Sequence, residues 1–158
     1  MGRYVSIFVL VVGLFFPFLT GNAAGSLPIR FETSKATVVT SKGRYVLNVE
    51  LALDVSQRMM GLQGRLALPP GWGMLFDFKT VQPVVMWMKN TLVPLDMVFI
   101  GDDGKIAGVA RNTVPLSLTR IPSPGPVRAV LEVPAGTAFM LGIVPGDRIE
   151  HPLFNNKK

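Results

Sequence analysis

The strongest constraint on the fold is an alternation of side chains along residues 44–53, RYVLNVELAL. Every second position of this run carries a larger apolar residue: Tyr45, Leu47, Val49, Leu51 and Leu53. Successive side chains of a β-strand point to opposite faces, so the pattern predicts a strand that is buried on one face only. A turn sequence at residues 41–43 precedes this strand, and residues 33–40 are predicted to form its antiparallel neighbour.

The rest of the chain is punctuated by Gly and Pro, which is typical of short strands and turns. Further strands are predicted near residues 105–110, 127–133 and 148–150, and a long proline-rich surface loop over residues 112–126. Asp54 or Ser56 is suited to cap a short helix that Gly61 ends. A second helix is predicted to start at Pro134 and to end at Gly142. These elements predict a mainly β fold, a compact single-domain β barrel or sandwich with two short helices.

Residues 1–24 are typical of a secretory signal peptide. An apolar run over residues 5–19 is followed by small residues: Gly21, Ala23 and Ala24. The run is shorter than the roughly 20 residues of a spanning helix, and Gly and Pro interrupt it. We therefore expect cleavage near Ala23 and a single exported β-rich domain over residues 25–158, periplasmic or extracellular, with no stable membrane anchor after cleavage. An uncleaved anchor is the alternative.

Composition excludes several classes of chemistry. The chain has no Cys, which excludes disulfides, thiolate nucleophiles and a lipoprotein anchor. Its one histidine, His151, lies near the C-terminus and is predicted to be a surface residue, so a Ser-His-Asp system and a zinc site lack their residues. We expect no metal and no cofactor. The formal net charge of +6 is scattered along the chain, with no basic stripe interleaved with aromatic residues, so we expect no nucleic-acid partner.

The most unusual local chemistry lies in residues 86–100. Lys89, Asn90 and Thr91 form a polar break between two apolar runs, which predicts a β-hairpin. Asp96 stands within the second apolar run, and burying a carboxylate without a partner costs several kcal/mol. If the turn is centred after Thr91, Trp87 lies opposite Asp96 on one strand face, and Lys89 shares that face.

This face of the hairpin is a candidate binding site for a small polar ligand. Trp87 would stack on an apolar ring or sugar face, while Asn90 and Asp96 would direct hydrogen bonds. Lys89 and Arg65 complete the candidate set. The structural alternative is that Asn90 closes the turn, that Asp96 accepts backbone N–H bonds or pairs with Lys89 or Arg65, and that Trp87 belongs to the core.

Two further hypotheses come from other classes of protein. An enzyme would use Asp96 as acid or base with Lys89 as its electrostatic partner. A Cu(I)-binding protein would use methionine thioethers, because Met86 and Met88 share a face in a regular strand and Met59 and Met60 are adjacent in the chain. The alternative for the methionines is that they fill an irregular core. Oligomeric state and pathway have no signature in the sequence.

Several ordered motifs resemble the domain of unknown function 192 family of small prokaryotic proteins. They are Arg58 with GLQGR at 61–65, GMLFDF at 73–78, WMKNT at 87–91 with PLDM at 94–97, and LEVPAG at 131–136 with LGI at 141–143 and GD at 146–147. The resemblance covers about residues 31–149, with Gln63 where the family pattern has Met. It implies a compact, β-rich, often exported domain and no particular activity.

Overall fold

The computed structural model describes residues 28–154, so the signal peptide expected over residues 1–24 lies outside the described part of the chain. The strands are β1 Glu32–Thr40, β2 Gly43–Ala52, β3 Trp72–Met86, β4 Leu95–Ile100, β5 Ile106–Ala110, β6 Ile121–Pro134 and β7 Arg148–Glu150. The helices are α1 Val55–Met60, α2 Thr137–Leu141 and a 3-10 turn, Pro152–Phe154. The mainly β prediction is confirmed.

All seven strands form one sheet in the order β5-β4-β6-β3-β2-β1-β7. β2 and β3 are parallel, and the other neighbouring pairs are antiparallel. The sheet curls into a half-barrel whose two edge strands approach each other, with Lys105 opposite Arg148. The Ile106 N–H donates to the Asp147 carbonyl at 2.8 Å, which ties the start of β5 to the start of β7.

The clearest sequence pattern is confirmed as β2, which pairs with β1 as predicted. Of the two caps expected for the first helix, Asp54 is the one observed, so the helix begins two residues earlier than a Ser56 cap would place it, and Asp54 and Gln57 form a reciprocal capping box. The Asp54 carboxylate accepts the Gln57 N–H at 2.8 Å, and the Gln57 side-chain oxygen accepts the Asp54 N–H at 3.2 Å. The second helix begins at Thr137, since Pro134 is still part of β6.

The predicted hairpin over residues 86–100 is wrong. β3 and β4 lie on opposite sides of β6 and do not pair with each other, so Trp87 is not opposite Asp96. The polar break is a local turn in which Asn90 takes a positive φ of 55° and the Thr91 N–H donates to the Met88 carbonyl at 3.1 Å. A tight turn at Asn90 gives the same sequence signal whether or not the flanking strands pair.

Two other surface predictions are also wrong. The segment expected to be a loop over residues 112–126 is a loop only as far as Arg120 and is strand from Ile121 onward, because three of its four prolines fall on an arm of β6 that pairs only with β3. His151 is buried at 2% exposure because the 3-10 turn folds back on the sheet. Its Nε2 lies 3.0 Å from the Ser34 hydroxyl, and its Nδ1 accepts the Leu153 N–H.

The sheet separates two apolar clusters. In β6 the residues Ala129, Leu131 and Val133 belong to the cluster inside the half-barrel. Val130 belongs to the second cluster on the opposite face, where the arm of β3 and β6 folds over together with Leu62 and Met88. By the same alternation Glu132 points into the second cluster, among side chains that are otherwise apolar.

Candidate functional site

A narrow cleft opens over the second apolar cluster. One wall is α1 with the residues that follow it, and the other is the end of β3 with the segment 87–94 that leads to β4. Its volume is about 30 Å³, which is room for roughly two waters. The lining residues are Arg58, Met59, Met60, Gly61, Leu62, Gln63, Phe76, Met86, Trp87, Lys89, Thr91 and Glu132. We refer to this space as the Glu132 cleft.

Glu132 lies at the floor of the cleft. Its strand neighbours are Met74 on β3 and Met97 on β4, and the residue is only 4% exposed. Within residues 28–154, no hydrogen bond or ion pair reaches its carboxyl group. The described residues contain no fully enclosed side-chain oxygen that lacks a partner, so this carboxyl group contacts the open space of the cleft.

Burial raises the pKa of Glu132 from 4.5 to about 8. The physical cause is desolvation, which disfavours the charged form when no counter-ion compensates. The carboxyl group is therefore mostly protonated at neutral pH and offers one O–H donor together with acceptor oxygens. A strongly perturbed acid in a cleft is a common signature of a functional site.

Two cationic side chains line the same cleft. The Arg58 Nη1 atom donates to the carbonyl oxygens of Leu53 at 3.1 Å and Asp77 at 2.9 Å, which fixes the guanidinium on the wall of the cleft. The Lys89 Nζ atom lies 5.8 Å from the centre of the Trp87 ring at the mouth. Arg58 is thus held rigidly by the backbone, whereas Lys89 rests on an exposed aromatic face.

The cleft continues into a shallower groove of about 460 Å³, which we call the outer groove. It is lined by Ile29, Ser56, Met59, Met60, Gln63, Trp87, Lys89 and Asn90. Three of the residues proposed from sequence, Trp87, Lys89 and Asn90, are therefore brought together here. The Asn90 amide donates to the Gln63 side-chain oxygen at 3.1 Å, which links the 87–94 segment to the end of α1.

The structure places the other two proposed residues elsewhere. Asp96 is fully buried on the opposite face of the sheet, and its two oxygens accept the backbone N–H groups of Asn112 and Ala138. Arg65 forms an ion pair of 2.5 Å with Glu50 and lies over the Phe31 ring. Asp96 therefore does not face Lys89, which the acid-base hypothesis requires as its partner.

Sequence reasoning missed Glu132, although the signal was present. Residues 129–134, AVLEVP, set one carboxylate in an apolar run, which is the same anomaly that singled out Asp96. The two acidic side chains have different surroundings in the folded protein. Backbone N–H groups satisfy Asp96, whereas Glu132 faces open space.

Six of the seven described methionines lie in the core or line the cleft, and the seventh, Met140, is exposed on α2. Met74, Met88 and Met97 are fully buried, which confirms core filling for these three. The sulfur of Met88 accepts the Thr113 hydroxyl at 3.1 Å and belongs to the apolar cluster, whereas Met86 lines the cleft, so these two do not form a presented pair. Met59 and Met60 line the cleft with Met86.

No helix within residues 28–154 has the length and apolar character needed to cross a membrane. The curated proteins contain no match to this chain.

Solved structures include clear relatives. A protein from Sinorhizobium meliloti 1021, described as a proposed transcription regulator, is 46% identical with a TM-score of 0.77, over 80% of this chain and 98% of its own. A protein of unknown function from Novosphingobium aromaticivorans DSM 12444 is 39% identical with a TM-score of 0.73, over 75% of this chain and 85% of its own. The family model of DUF192, described as Uncharacterized ACR, matches residues 37–151. This chain therefore belongs to the DUF192 family.

Proposed function

We propose that this protein is a binding module for a small ligand, with the Glu132 cleft and the outer groove as its site. The observation that carries the proposal is a carboxyl group that is 4% exposed, has no partner among the described residues and faces open space. Leaving a buried polar group unsatisfied costs about 1–3 kcal/mol. A ligand that supplies the missing partner recovers this cost on binding, so the arrangement favours a bound state.

The surroundings of Glu132 suit a ligand with a small polar head and an apolar body. The Glu132 cleft has the volume of one small polar group. The outer groove adds exposed apolar side chains, since Trp87 is 54% exposed and Met59 is 72% exposed. Exposed aromatic and methionine side chains around a few polar groups are typical of ligand sites.

The test is nuclear magnetic resonance of protein labelled with ¹³C at the methionine methyl groups. A panel of sugars, amino acids and small carboxylates, amines and alcohols is added in turn. A ligand of the cleft shifts the methyl signals of Met59, Met60 and Met86 and leaves that of Met140 on α2 in place. Binding should be lost in Glu132→Leu. A panel in which no compound moves the three cleft signals would overturn the proposal.

The same proposal places the protein outside the cytoplasm, on the strength of the leader pattern in residues 1–24. The cell-envelope form should begin near Ala24 or Gly25. N-terminal sequencing that finds Met1 or Gly2, together with recovery in the membrane fraction, would replace export by anchoring.

A further inference from the structure

Taking the Glu132 cleft as the ligand site, an inference that rests on the function proposed above, we propose that its ligand is a small organic anion. Its carboxylate head is received at the floor by Glu132, between Arg58 and Lys89. Its apolar body lies along the outer groove on Trp87 and Met59. Three observations support this class of ligand: the charges of the lining, the role of Glu132 as a donor, and the division of the space.

The charges that line the cleft have one sign. Arg58 and Lys89 are cationic, and Glu132 is kept mostly neutral by burial. An entering cation would meet two like charges, whereas an entering anion meets two opposite charges in a partly desolvated space. The formal net charge of +6 for the whole chain also favours an anion over a cation.

Glu132 contributes as a hydrogen-bond donor. Its protonated carboxyl group has an O–H whose partner is missing from the described structure. A carboxylate is a strong acceptor for such a donor, because O–H···O⁻ bonds are short and roughly twice as strong as neutral hydrogen bonds. Thr91 and Gln63 are further polar residues of the same lining.

The Glu132 cleft and the outer groove match the two parts of such a ligand in size. The Glu132 cleft, about 30 Å³, admits a carboxylate head but not a ring. The outer groove of about 460 Å³ has room for an aromatic or aliphatic body. Methionine sulfur and the indole face both make favourable contacts with aromatic rings.

Ionisation of Glu132 should oppose binding. Arg58 on α1 and Lys89 in the 87–94 segment line the same cleft, while the strand neighbours of Glu132 on β3 and β4 are the apolar Met74 and Met97. Further along the same row of the sheet, Glu50 follows Met74 and is paired with Arg65. Because burial raises the pKa of Glu132 to about 8, anion affinity should be about tenfold weaker at pH 9 than at pH 6.5.

The experiment compares three probes that share one skeleton: phenylacetate, 2-phenylethanol and 2-phenylethylamine. Binding is followed at the methyl signals of Met59, Met60 and Met86, with Met140 as the internal reference. At pH 6.5 phenylacetate should bind about tenfold more tightly than the alcohol or the amine, as expected for one extra charge-assisted contact.

Two variants identify the groups responsible. Glu132→Gln keeps a neutral donor at every pH, so the ratio of phenylacetate Kd between pH 9 and pH 6.5 should fall from about ten to about one. Lys89→Gln should weaken phenylacetate severalfold. Lys42→Gln is the matched control, because the Lys42 ammonium also lies over an aromatic ring, that of Phe139, outside the cleft.

The outcomes test the class of ligand and the existence of the site separately. Tighter binding of the amine, with affinity rising towards pH 9, would overturn the anion proposal and leave the cleft as a ligand site. Equal binding of all three probes, or a pH ratio that persists in Glu132→Gln, would also overturn it. Failure of all three probes overturns the anion proposal, and failure of the wider panel as well overturns the proposed function.

Discussion

The carboxylate of Asp96 accepts a hydrogen bond from the backbone N–H of Ala138 at 2.8 Å, and this contact joins β4 to the first turn of α2. The N-cap residue of α2 is Gly136, which has no side chain to cap the helix. Asp96 therefore replaces the missing cap from a distant strand. Its second oxygen accepts the Asn112 N–H at 2.9 Å, so one buried acid fixes two segments of backbone.

Asp96→Asn should destabilise the fold by about 1–3 kcal/mol, because the amide can accept only one of the two N–H bonds and is neutral. Chemical denaturation measures the loss. Asp102→Asn, at an exposed turn position, is the matched control and should change the free energy of unfolding by less than about 0.5 kcal/mol. An unchanged stability in Asp96→Asn together with lost ligand binding would return Asp96 to the site.

Glu132 predicts an unusual dependence of stability on pH. Its pKa is raised to about 8 in the folded state, so the native chain holds a proton that the unfolded chain releases above pH 4.5. The proton held by Glu132 stabilises the folded state fully below pH 4.5, and this stabilisation is lost as the pH rises to about 8. The loss reaches about 5 kcal/mol in total.

Glu132→Gln removes this titration. The difference in free energy of unfolding between Glu132→Gln and the parent should therefore grow in favour of the variant from pH 5 to pH 9. Urea denaturation at several pH values measures it. A difference that stays constant over this range would show that Glu132 ionises in the folded protein as it does in the unfolded chain.

Asp77 behaves in the opposite way, because it has partners. Burial alone would raise the pKa of this carboxyl, but hydrogen bonds from Arg128 and Lys79 outweigh burial and lower it below 3.8. The Arg128 Nε atom lies 2.8 Å from one carboxylate oxygen, and the Lys79 ammonium lies 3.1 Å from the other. The bonds hold the bulge at Lys79, where φ is 68°.

The Asp77→Asn variant should be less stable than the parent by about 1.5–3 kcal/mol at pH 7, the usual range for hydrogen bonds to a charged group. A lowered pKa stabilises the fold above the unfolded value and loses this effect as the pH falls through the folded value. The deficit should therefore shrink below pH 3.8. Thermal unfolding at pH 7 and pH 3 measures it, and an equal deficit at both would contradict the role of charge.

Local sequence patterns predicted local structure well, but they did not predict contacts between residues that are distant in the sequence. The alternation in β2 and the cap at Asp54 act within a few residues and were predictable. β6 lies between β3 and β4, with Val130 opposite Phe76 on one side and Phe99 on the other, and no local period of two reveals partners this distant in the sequence. For the same reason Asp96 and Glu132 look alike in the sequence, each as a single acid in an apolar run. The fold shows the difference: backbone N–H groups bind the Asp96 carboxylate, whereas the Glu132 carboxyl group faces the cleft.

The approach of β3 to β6 beside the cleft depends on a glycine. A Cβ atom added at Gly73 would lie 2.6 Å from the Glu132 carbonyl oxygen and 3.1 Å from the Val133 side chain. The first contact is with backbone, so the two strands must separate next to Glu132.

Gly73→Ala should therefore cost about 1–3 kcal/mol of stability, as overpacking in a well-packed region does. It should also shift the methyl signal of Met74, which pairs with Glu132. Gly125→Ala is the matched control, since a Cβ atom there meets nothing within 4 Å and should leave both measurements close to the parent. A Gly73→Ala protein as stable as the Gly125→Ala protein, with the Met74 signal unmoved, would mean that the strands at the floor of the cleft are not in such close contact.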